Sequence, residues 1–139
     1  MANYLLVANQ TLGGDQLMDE VRWRISRGPC SFYVLVPNTA PSAVGAASAS
    51  EAEHRATLTA QSRLRQALTQ LRAAGADARG DLGDPDPFTA IRDLMAVESF
   101  DEIIVSTLPS GISRWLGMDL PHRVERQFKL PVTTVTAKG

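Results

Sequence analysis

The sequence predicts a doubly wound α/β domain, in which helices cover both faces of a five-stranded parallel sheet to give three layers (α/β/α). Two observations indicate this class. Short apolar runs, typical of strands buried on both faces, alternate along the chain with amphipathic segments long enough to serve as crossover helices. The chain has 139 residues, a length that fits one domain with its own core, and we expect residues 1–139 to form a single domain.

The first three elements are predicted from the amino-terminal quarter. Residues 4–8 are apolar and run into polar residues and Gly13-Gly14, which predicts a buried strand followed by a turn. In residues 15–27 apolar positions recur every four residues, as in an amphipathic helix, and Gly28-Pro29 ends it. The apolar residues 32–36 predict a second buried strand.

The middle of the chain contains the longest helical pattern. Residues 38–50 are rich in Ala, Ser, Pro and Gly, and we expect a flexible surface connection there. A helix is predicted from Glu51 to the capping Gly75, because small and apolar residues follow the i, i+3, i+4 rule. Residues 76–82 are small or charged and predict a weak strand at a sheet edge.

The last third predicts two further helices and two strands. Asp86 is a candidate N-cap with Pro87 in the first turn of a helix that ends near Glu98. Residues 100–108 form a third strong strand, and a loop then runs to Asp119, which we expect to cap the next helix. Residues 131–136 form the last strand.

The predicted topology indicates where a ligand would bind. In doubly wound sheets, ligands lie beyond the carboxyl ends of the strands where the strand order reverses. The loops to inspect are therefore those at residues 9–14 and 106–119. In the first loop Thr11, Gly13 and Gly14 offer amides at a helix N-terminus, although a plain Gly-Gly turn explains them as well.

The second loop holds the stronger candidate for an anion site. Hydroxyls and backbone amides bind phosphate, glycine permits close approach, and arginine supplies a two-pronged charge. The candidate residues are Ser106, Thr107, Ser110, Gly111, Ser113 and Arg114. The alternative is a structural turn whose hydroxyls bind their own backbone.

Composition argues against several functions. The net charge of −1 provides no broad field for nucleic acid. The single cysteine, Cys30, excludes an internal disulfide and a multi-thiolate metal site. The first apolar run is shorter than a signal-peptide core or a membrane span, so we expect a cytoplasmic protein without membrane contact.

Catalytic and metal chemistry also lack a recognisable pattern. His54 and His122 have no second ligand at metal-binding spacing, and we expect no metal site. The aspartates of residues 81–93 alternate with Gly and Pro, which is typical of turns and helix caps. We therefore expect no catalytic residues and no enzymatic activity, and the residues alone identify no cofactor.

Residues 106–135 read STLPSGISRWLGMDLPHRVERQFKLPVTTV, and this segment resembles the carboxyl-terminal third of universal stress proteins. In that family a strand leads into a Gly-x-x-Gly loop, a later Gly-[Ser/Thr] pair, a helix and a final Pro-Val strand. The matching residues are Gly111, Ser113, Arg114, Leu116, Arg123, Val124, Pro131, Val132 and Val135. YLLVANQT near the start and GDPDPFTAIRDLM in the middle are similar to two other segments of the family.

The resemblance implies a Rossmann-like fold of the adenine nucleotide alpha hydrolase type, with ATP or another adenine nucleotide as ligand. By that resemblance, Asn9, Gln10 and Thr11 belong to the ligand site, and Val36 and Pro37 lie near the base or sugar. The sequence departs from the family where the nucleotide binds. Asn9 replaces an acidic residue that contacts adenosine, Val105 and Leu108 replace the first two glycines, and Met118-Asp119 replace the later Gly-[Ser/Thr] pair. The chain is thus similar to a divergent subgroup.

Two functions follow as hypotheses. The first is a regulatory module that binds a nucleotide or another phosphate-bearing small molecule. The second is a protein-interaction module with a vestigial pocket. In both cases we expect a homodimer formed through the last strand, because an apolar edge strand is normally covered. The residues of that strand are Val132, Thr133, Thr134 and Val135.

Overall fold

The computed structural model describes residues 1–38, 49–109 and 113–137. Five strands alternate with helices, as the sequence predicts, with one additional short helix. In chain order the elements are β1 (Ala2–Val7), α1 (Asp15–Ser26), β2 (Cys30–Pro37), α2 (Ala49–Ala73), β3 (Asp77–Gly83), α3 (Pro87–Met95), β4 (Glu102–Thr107), α4 (Arg114–Gly117), α5 (Leu120–Phe128) and β5 (Val132–Thr136).

The five strands form one parallel sheet in the order β3-β2-β1-β4-β5. The predicted α/β class and the five-stranded parallel sheet are confirmed. The strands β3 and β5 lie at the two edges, as expected from the weak apolar character of the first and the position of the second in the chain. Both β1 and β2 begin earlier than predicted, because polar residues extend the ladder: Asn3 pairs with Ser31, whose hydroxyl donates to the Asn3 side chain at 2.5 Å.

Side chains from the two faces of the sheet form two hydrophobic clusters. On one face, α1 and α2 cover residues such as Leu6, Val34 and Ile104. On the other, α3 and α5 cover the alternate residues, including Leu5 and Ile103. The central strands are apolar at consecutive positions because each face of the sheet is buried.

A buried arginine joins α1 to the amino-terminal ends of β4 and β5. Arg24 is 4% exposed and forms ion pairs with Glu20 on its own helix and with Glu102 at the start of β4. Its guanidinium also donates to the Thr133 hydroxyl at 3.2 Å. Burial opposes the charge, but the hydrogen bonds to Glu20 and Glu102 outweigh it, so the pKa of Arg24 is raised.

The region between β4 and α5 differs from the prediction. The expected loop contains α4, whose first turn is capped by the Ser113 hydroxyl, which accepts a hydrogen bond from the Leu116 amide at 3.2 Å. Asp119 occupies the N-cap position of α5, as predicted, but its side chain makes no capping hydrogen bond. A capping side chain needs an extended backbone, whereas Asp119 has a left-handed conformation with φ 56° and bonds instead to Nδ1 of His122 at 2.8 Å.

The predicted cap of α3 is confirmed. Asp86 has an extended backbone, and its carboxylate accepts hydrogen bonds from the amide and the hydroxyl of Thr89 at 3.0 and 2.8 Å. Pro87 occupies the first helical position, where a missing amide hydrogen costs nothing. Most of the connection predicted at residues 38–50 lies outside the described residues.

Candidate functional site

The strand order reverses at β1, which has β2 on one side and β4 on the other. From β1 the chain continues to β2 on one side, and it forms β4 on the other side of β1 only later. The loops that follow the neighbouring strands β1 and β4 therefore run in opposite directions. In sheets of this kind the divergence opens a crevice at the carboxyl ends of the strands. The candidate site is therefore built from the residues that follow Val7 and Thr107.

Two buried hydroxyls meet at this reversal point. Thr11, in the loop after β1, is 8% exposed, and Ser106, near the end of β4, is 2% exposed. Their oxygen atoms Oγ1 and Oγ lie 2.6 Å apart and form a hydrogen bond. One bond uses one of the two protons, so the second hydroxyl still has a proton to donate to another group.

The other predicted hydroxyls bind the backbone. The Thr107 hydroxyl donates to the Leu108 carbonyl at 2.9 Å and has no proton left for an anion. The Ser113 hydroxyl accepts from the Leu116 amide, so its own proton remains available. Of these two residues, only Ser113 has a proton for a phosphate oxygen. Both hydroxyls bind the nearby backbone, as in the structural turn that the sequence left open as the alternative.

Asn9 connects the ends of β1 and β2 to helix α2. Its side-chain nitrogen donates to the Pro37 carbonyl at 2.9 Å, and its side-chain oxygen accepts from the guanidinium of Arg63 at 2.8 Å. A carbonyl can only accept and a guanidinium can only donate, so the two partners fix the orientation of the amide. Asn9 thereby holds a positive charge at the carboxyl edge of the sheet.

Arg63 is the residue of this site that the sequence prediction missed. In the sequence it is one of several arginines on the polar side of a long helix, 54 positions from Asn9. A nearby contact fixes the same helix to β2: the side-chain nitrogen of Asn38 donates to the Thr57 hydroxyl at 2.9 Å. The one available signal is that Arg63 has no acidic residue three or four positions away to pair with, unlike Arg24.

The amino terminus of α1 is a poor anion site. The Gly14 amide donates to the Thr11 carbonyl at 3.1 Å, which removes one of the amides considered from the sequence. Asp15 places a carboxylate in the first turn, where the helix dipole would otherwise attract an anion. Gly13 has a φ of 84° and forms the turn, consistent with the plain Gly-Gly turn considered as the alternative.

The remaining predicted residues have different surroundings. Gln10 and Arg114 are exposed, and no described carboxylate forms an ion pair with Arg114. The Val36 side chain is fully buried in the core under α2, and Pro37 is buried with its carbonyl bound to Asn9. Ser110 and Gly111 lie outside the described residues.

The described part of the chain offers no cluster of three His, Cys, Asp or Glu side chains that could hold a metal ion. His122 is exposed, and its hydrogen bond among the described residues is to Asp119, three residues earlier. Trp115 and Met118 are half-buried and pack against the core cluster on the α3–α5 face. None of the described helices is both long enough and apolar enough to cross a membrane.

The chain is similar to solved structures of universal stress proteins over nearly its whole length. The protein from Archaeoglobus fulgidus is 15% identical, with a TM-score of 0.60 over 97% of this chain and 93% of that chain. A family protein from Arabidopsis thaliana with AMP bound is 11% identical, with a TM-score of 0.61 over 100% and 94%. A universal stress protein in complex with cAMP is 20% identical, with a TM-score of 0.57 over 99% and 98%.

Sequence comparison alone gives no match: no protein-family model and no curated protein matches the chain. The structural similarity, at 20% identity or less in these three cases, establishes the fold. The chain has the universal stress protein fold, and the resemblance stated from the sequence is confirmed at that level.

Proposed function

We propose that the protein is a universal stress protein-like regulatory module that binds a phosphate-bearing small molecule, in the first instance an adenine nucleotide. The site is the crevice between the loops after β1 and β4. The observation that carries the proposal is the Thr11–Ser106 hydroxyl pair, which lies at the point where the strand order reverses. This is where the fold class binds its ligands.

The similar structures add support of a different kind. Those from Arabidopsis thaliana and Archaeoglobus fulgidus contain AMP and dAMP, and a third contains cAMP. All three ligands are adenine mononucleotides with one phosphate group. A binding role in a stress response, without catalysis, follows for this chain as part of the proposal.

Donors for the phosphate come from three places in the proposed site. The hydroxyl pair has one free proton, Ser113 has another, and Arg114 supplies a charge that no described carboxylate neutralises. Ser110 and Gly111, with their backbone amides, complete the loop in this proposal. Asn9 is occupied by Pro37 and Arg63, so we assign it a positioning role.

Calorimetric titration of the full chain with AMP and with adenosine tests this function. The phosphate adds charge-assisted hydrogen bonds, so AMP is expected to bind about tenfold or more tightly than adenosine. Arg114→Ala reduces that difference, and Arg126→Ala, an exposed arginine on α5, leaves it unchanged. Equal binding of AMP and adenosine, or no binding of either, contradicts the proposal.

We also propose that the protein is a homodimer joined through β5. The Ile103 amide donates to the Pro131 carbonyl, and the Ala137 amide donates to the Thr107 carbonyl. The backbone N–H and C=O groups of the odd-numbered residues in this segment therefore point toward β4. The even-numbered residues Val132, Thr134 and Thr136 therefore direct their backbone groups away from the sheet. An open edge of this kind is normally covered, and pairing with a second copy is the simplest cover. This surface equally serves the interaction-module hypothesis.

A cytoplasmic location is part of the same proposal. Cys30 is 6% exposed, and its pKa is raised because burial disfavours the thiolate. A buried, protonated thiol reacts slowly and needs no oxidising compartment. Measurement of thiol reactivity in the native protein checks the structural role of Cys30: slow labelling supports it, and fast labelling contradicts it.

A further inference from the structure

Arg63 is a half-buried cation without a negative partner at the edge of the candidate site. Among the described residues no carboxylate forms an ion pair with it, and its described hydrogen bond is to the neutral amide of Asn9. On α2 the residues three and four positions away are Thr59, Ala60, Gln66 and Ala67, all uncharged. A guanidinium has five N–H donors, so most of its capacity is unused by Asn9.

The strand ends around Arg63 are also uncharged. Residues 9–11 after β1 are Asn, Gln and Thr, and β2 ends at Pro37 followed by Asn38. The strand next to β2 is β3, which carries Asp77 and Asp81. Ala78 and Leu82 pack on the side of α2, so both aspartates point to the opposite face. The Asp84 carboxylate accepts a hydrogen bond from the Asp86 amide at 2.9 Å.

This arrangement differs from that of the other partly or fully buried arginine of the same sheet face. Arg24 is neutralised by two glutamates, as buried charges usually are. Arg63 is instead held in place by an amide whose other end is fixed to Pro37. A cation that is oriented but not neutralised is suited to a negative group supplied from outside the chain.

We propose that Arg63 is a ligand-binding residue that receives an oxyanion, phosphate or carboxylate, over the carboxyl ends of β1 and β2. The inference deepens the proposed function, on which it rests for the position of the crevice. It adds a second anion-binding position on the β2 side of β1. This position is separate from the proposed phosphate site in the loop after β4. The ligand class is then a phosphate-bearing small molecule that carries a second negative group at the end lying over β1 and β2.

The direct test follows side-chain signals of the ¹⁵N-labelled full chain by nuclear magnetic resonance. Inorganic phosphate or malonate is added at constant ionic strength, with chloride as the balancing anion. The Nε–Hε signal of Arg63 and the amide signal of Asn9 are expected to shift in a saturable way. Arg65, exposed on the same helix, is the internal control and should shift only weakly. Saturation with phosphate alone identifies a phosphate group, and saturation with malonate alone identifies a carboxylate.

Two variants complete the test. Arg63→Gln is expected to abolish the saturable shift of Asn9, and Arg65→Gln to preserve it. Asn9→Asp places a carboxylate beside Arg63, and the neutralised arginine should bind the anion about tenfold more weakly or worse. The inference is overturned if Arg63 responds no more than Arg65 to both anions, or if the Asn9 shift survives in Arg63→Gln.

The two proposals fail in distinguishable ways. If AMP binds more tightly than adenosine but Arg63 shows no response to either anion, the proposed function stands and the role of Arg63 is wrong. If Arg63 responds to an anion but no nucleotide binds, the anion site stands and the nucleotide assignment is wrong.

Discussion

Arg24 illustrates how one charged residue contacts several elements of this fold. Its guanidinium joins Glu20 on α1 to Glu102 on β4 and reaches Thr133 on β5, and it lies 5.3 Å from the centre of the Tyr4 ring. The Thr133 hydroxyl donates to the same Glu102 carboxylate at 2.5 Å. One side chain thus connects a helix to both strands at the open side of the sheet.

Replacement of Arg24 by methionine is expected to lower the free energy of unfolding by about 2–4 kcal/mol. Methionine fills much of the same volume, so the loss arises mainly from two carboxylates left close together without a cation. Urea denaturation measures it, and Arg22→Met, at an exposed ion pair, should cost about 0.5 kcal/mol or less. Equal stability of the two variants would show that the buried ion pairs contribute nothing specific.

A double-mutant cycle tests the hydroxyl pair of the candidate site. Thr11→Val leaves the buried Ser106 hydroxyl without a partner and should cost about 1–2 kcal/mol. Adding Ser106→Ala removes the orphaned group, so the double variant should lose less than the sum of the two single losses. Strictly additive losses would indicate that the two hydroxyls do not interact in solution.

At the scale of elements, the structure of α3 shows how a local signal determines where a helix begins. Asp86 caps the helix through Thr89. The hydrogen bond from the Thr89 hydroxyl has the largest effect in lowering the pKa of the Asp86 carboxylate, and the bond from the Thr89 amide has the next largest. The pKa of Asp86 is lower in the folded state than in the unfolded state. The charged carboxylate therefore stabilises the fold at pH values above the unfolded-state pKa. That contribution is lost as the pH falls through the folded value.

Asp86→Ala should therefore destabilise the protein by about 1 kcal/mol at neutral pH. The difference from wild type should shrink as the pH is lowered below about 4, where the unfolded carboxyl is protonated. Unfolding free energies at both pH values check this, with Asp93→Ala on the exposed side of α3 as the control. A difference that persists unchanged at low pH would mean that the charge of Asp86 has no part in the cap.

The elements were predictable from the sequence wherever one local pattern determines them. Apolar runs such as residues 103–105 are typical of strands with both faces covered, and Asp86-Pro87 is typical of a helix start. Short α4 was not predicted, because its four residues contain no helical period. The missing capping bond of Asp119 has a similar cause, since residue type alone does not reveal a left-handed backbone.

The candidate site was predictable in position but not in its contacts. Thr11 and Ser106 were both predicted, because strand ends at the reversal point are neighbours in any doubly wound sheet. The contact between Asn9 and Arg63 depends on how α2 lies across the strand ends. No pattern along the chain determines that placement, so the arginine was hidden among the other polar residues of its helix.

For the whole molecule, the open edge at β5 raises the question of what covers it. Substitution of Thr134 by proline removes a backbone N–H that is directed away from the sheet, and leaves the pairing with β4 intact. We expect wild type to sediment as a dimer at micromolar concentration and Thr134→Pro as a monomer. Thr134→Val keeps the N–H and should remain a dimer. A monomeric wild type, or a dimeric proline variant, contradicts pairing through this edge.

A ligand site between the loops after β1 and β4 is tested by mapping AMP onto the ¹⁵N-labelled protein through its backbone amide shifts. Saturable shifts are expected to concentrate at residues 9–14 and 106–114, on the two sides of the strand reversal. The outer surface of α2 has an open groove lined by Ser62, Arg65, Gln66, Thr69 and Gln70. Gln70 lies beside Gly13, so the other four residues serve as the reference surface. Shifts concentrated on that reference surface, or no saturable shift in either loop, would contradict a ligand site at the carboxyl ends of β1 and β4.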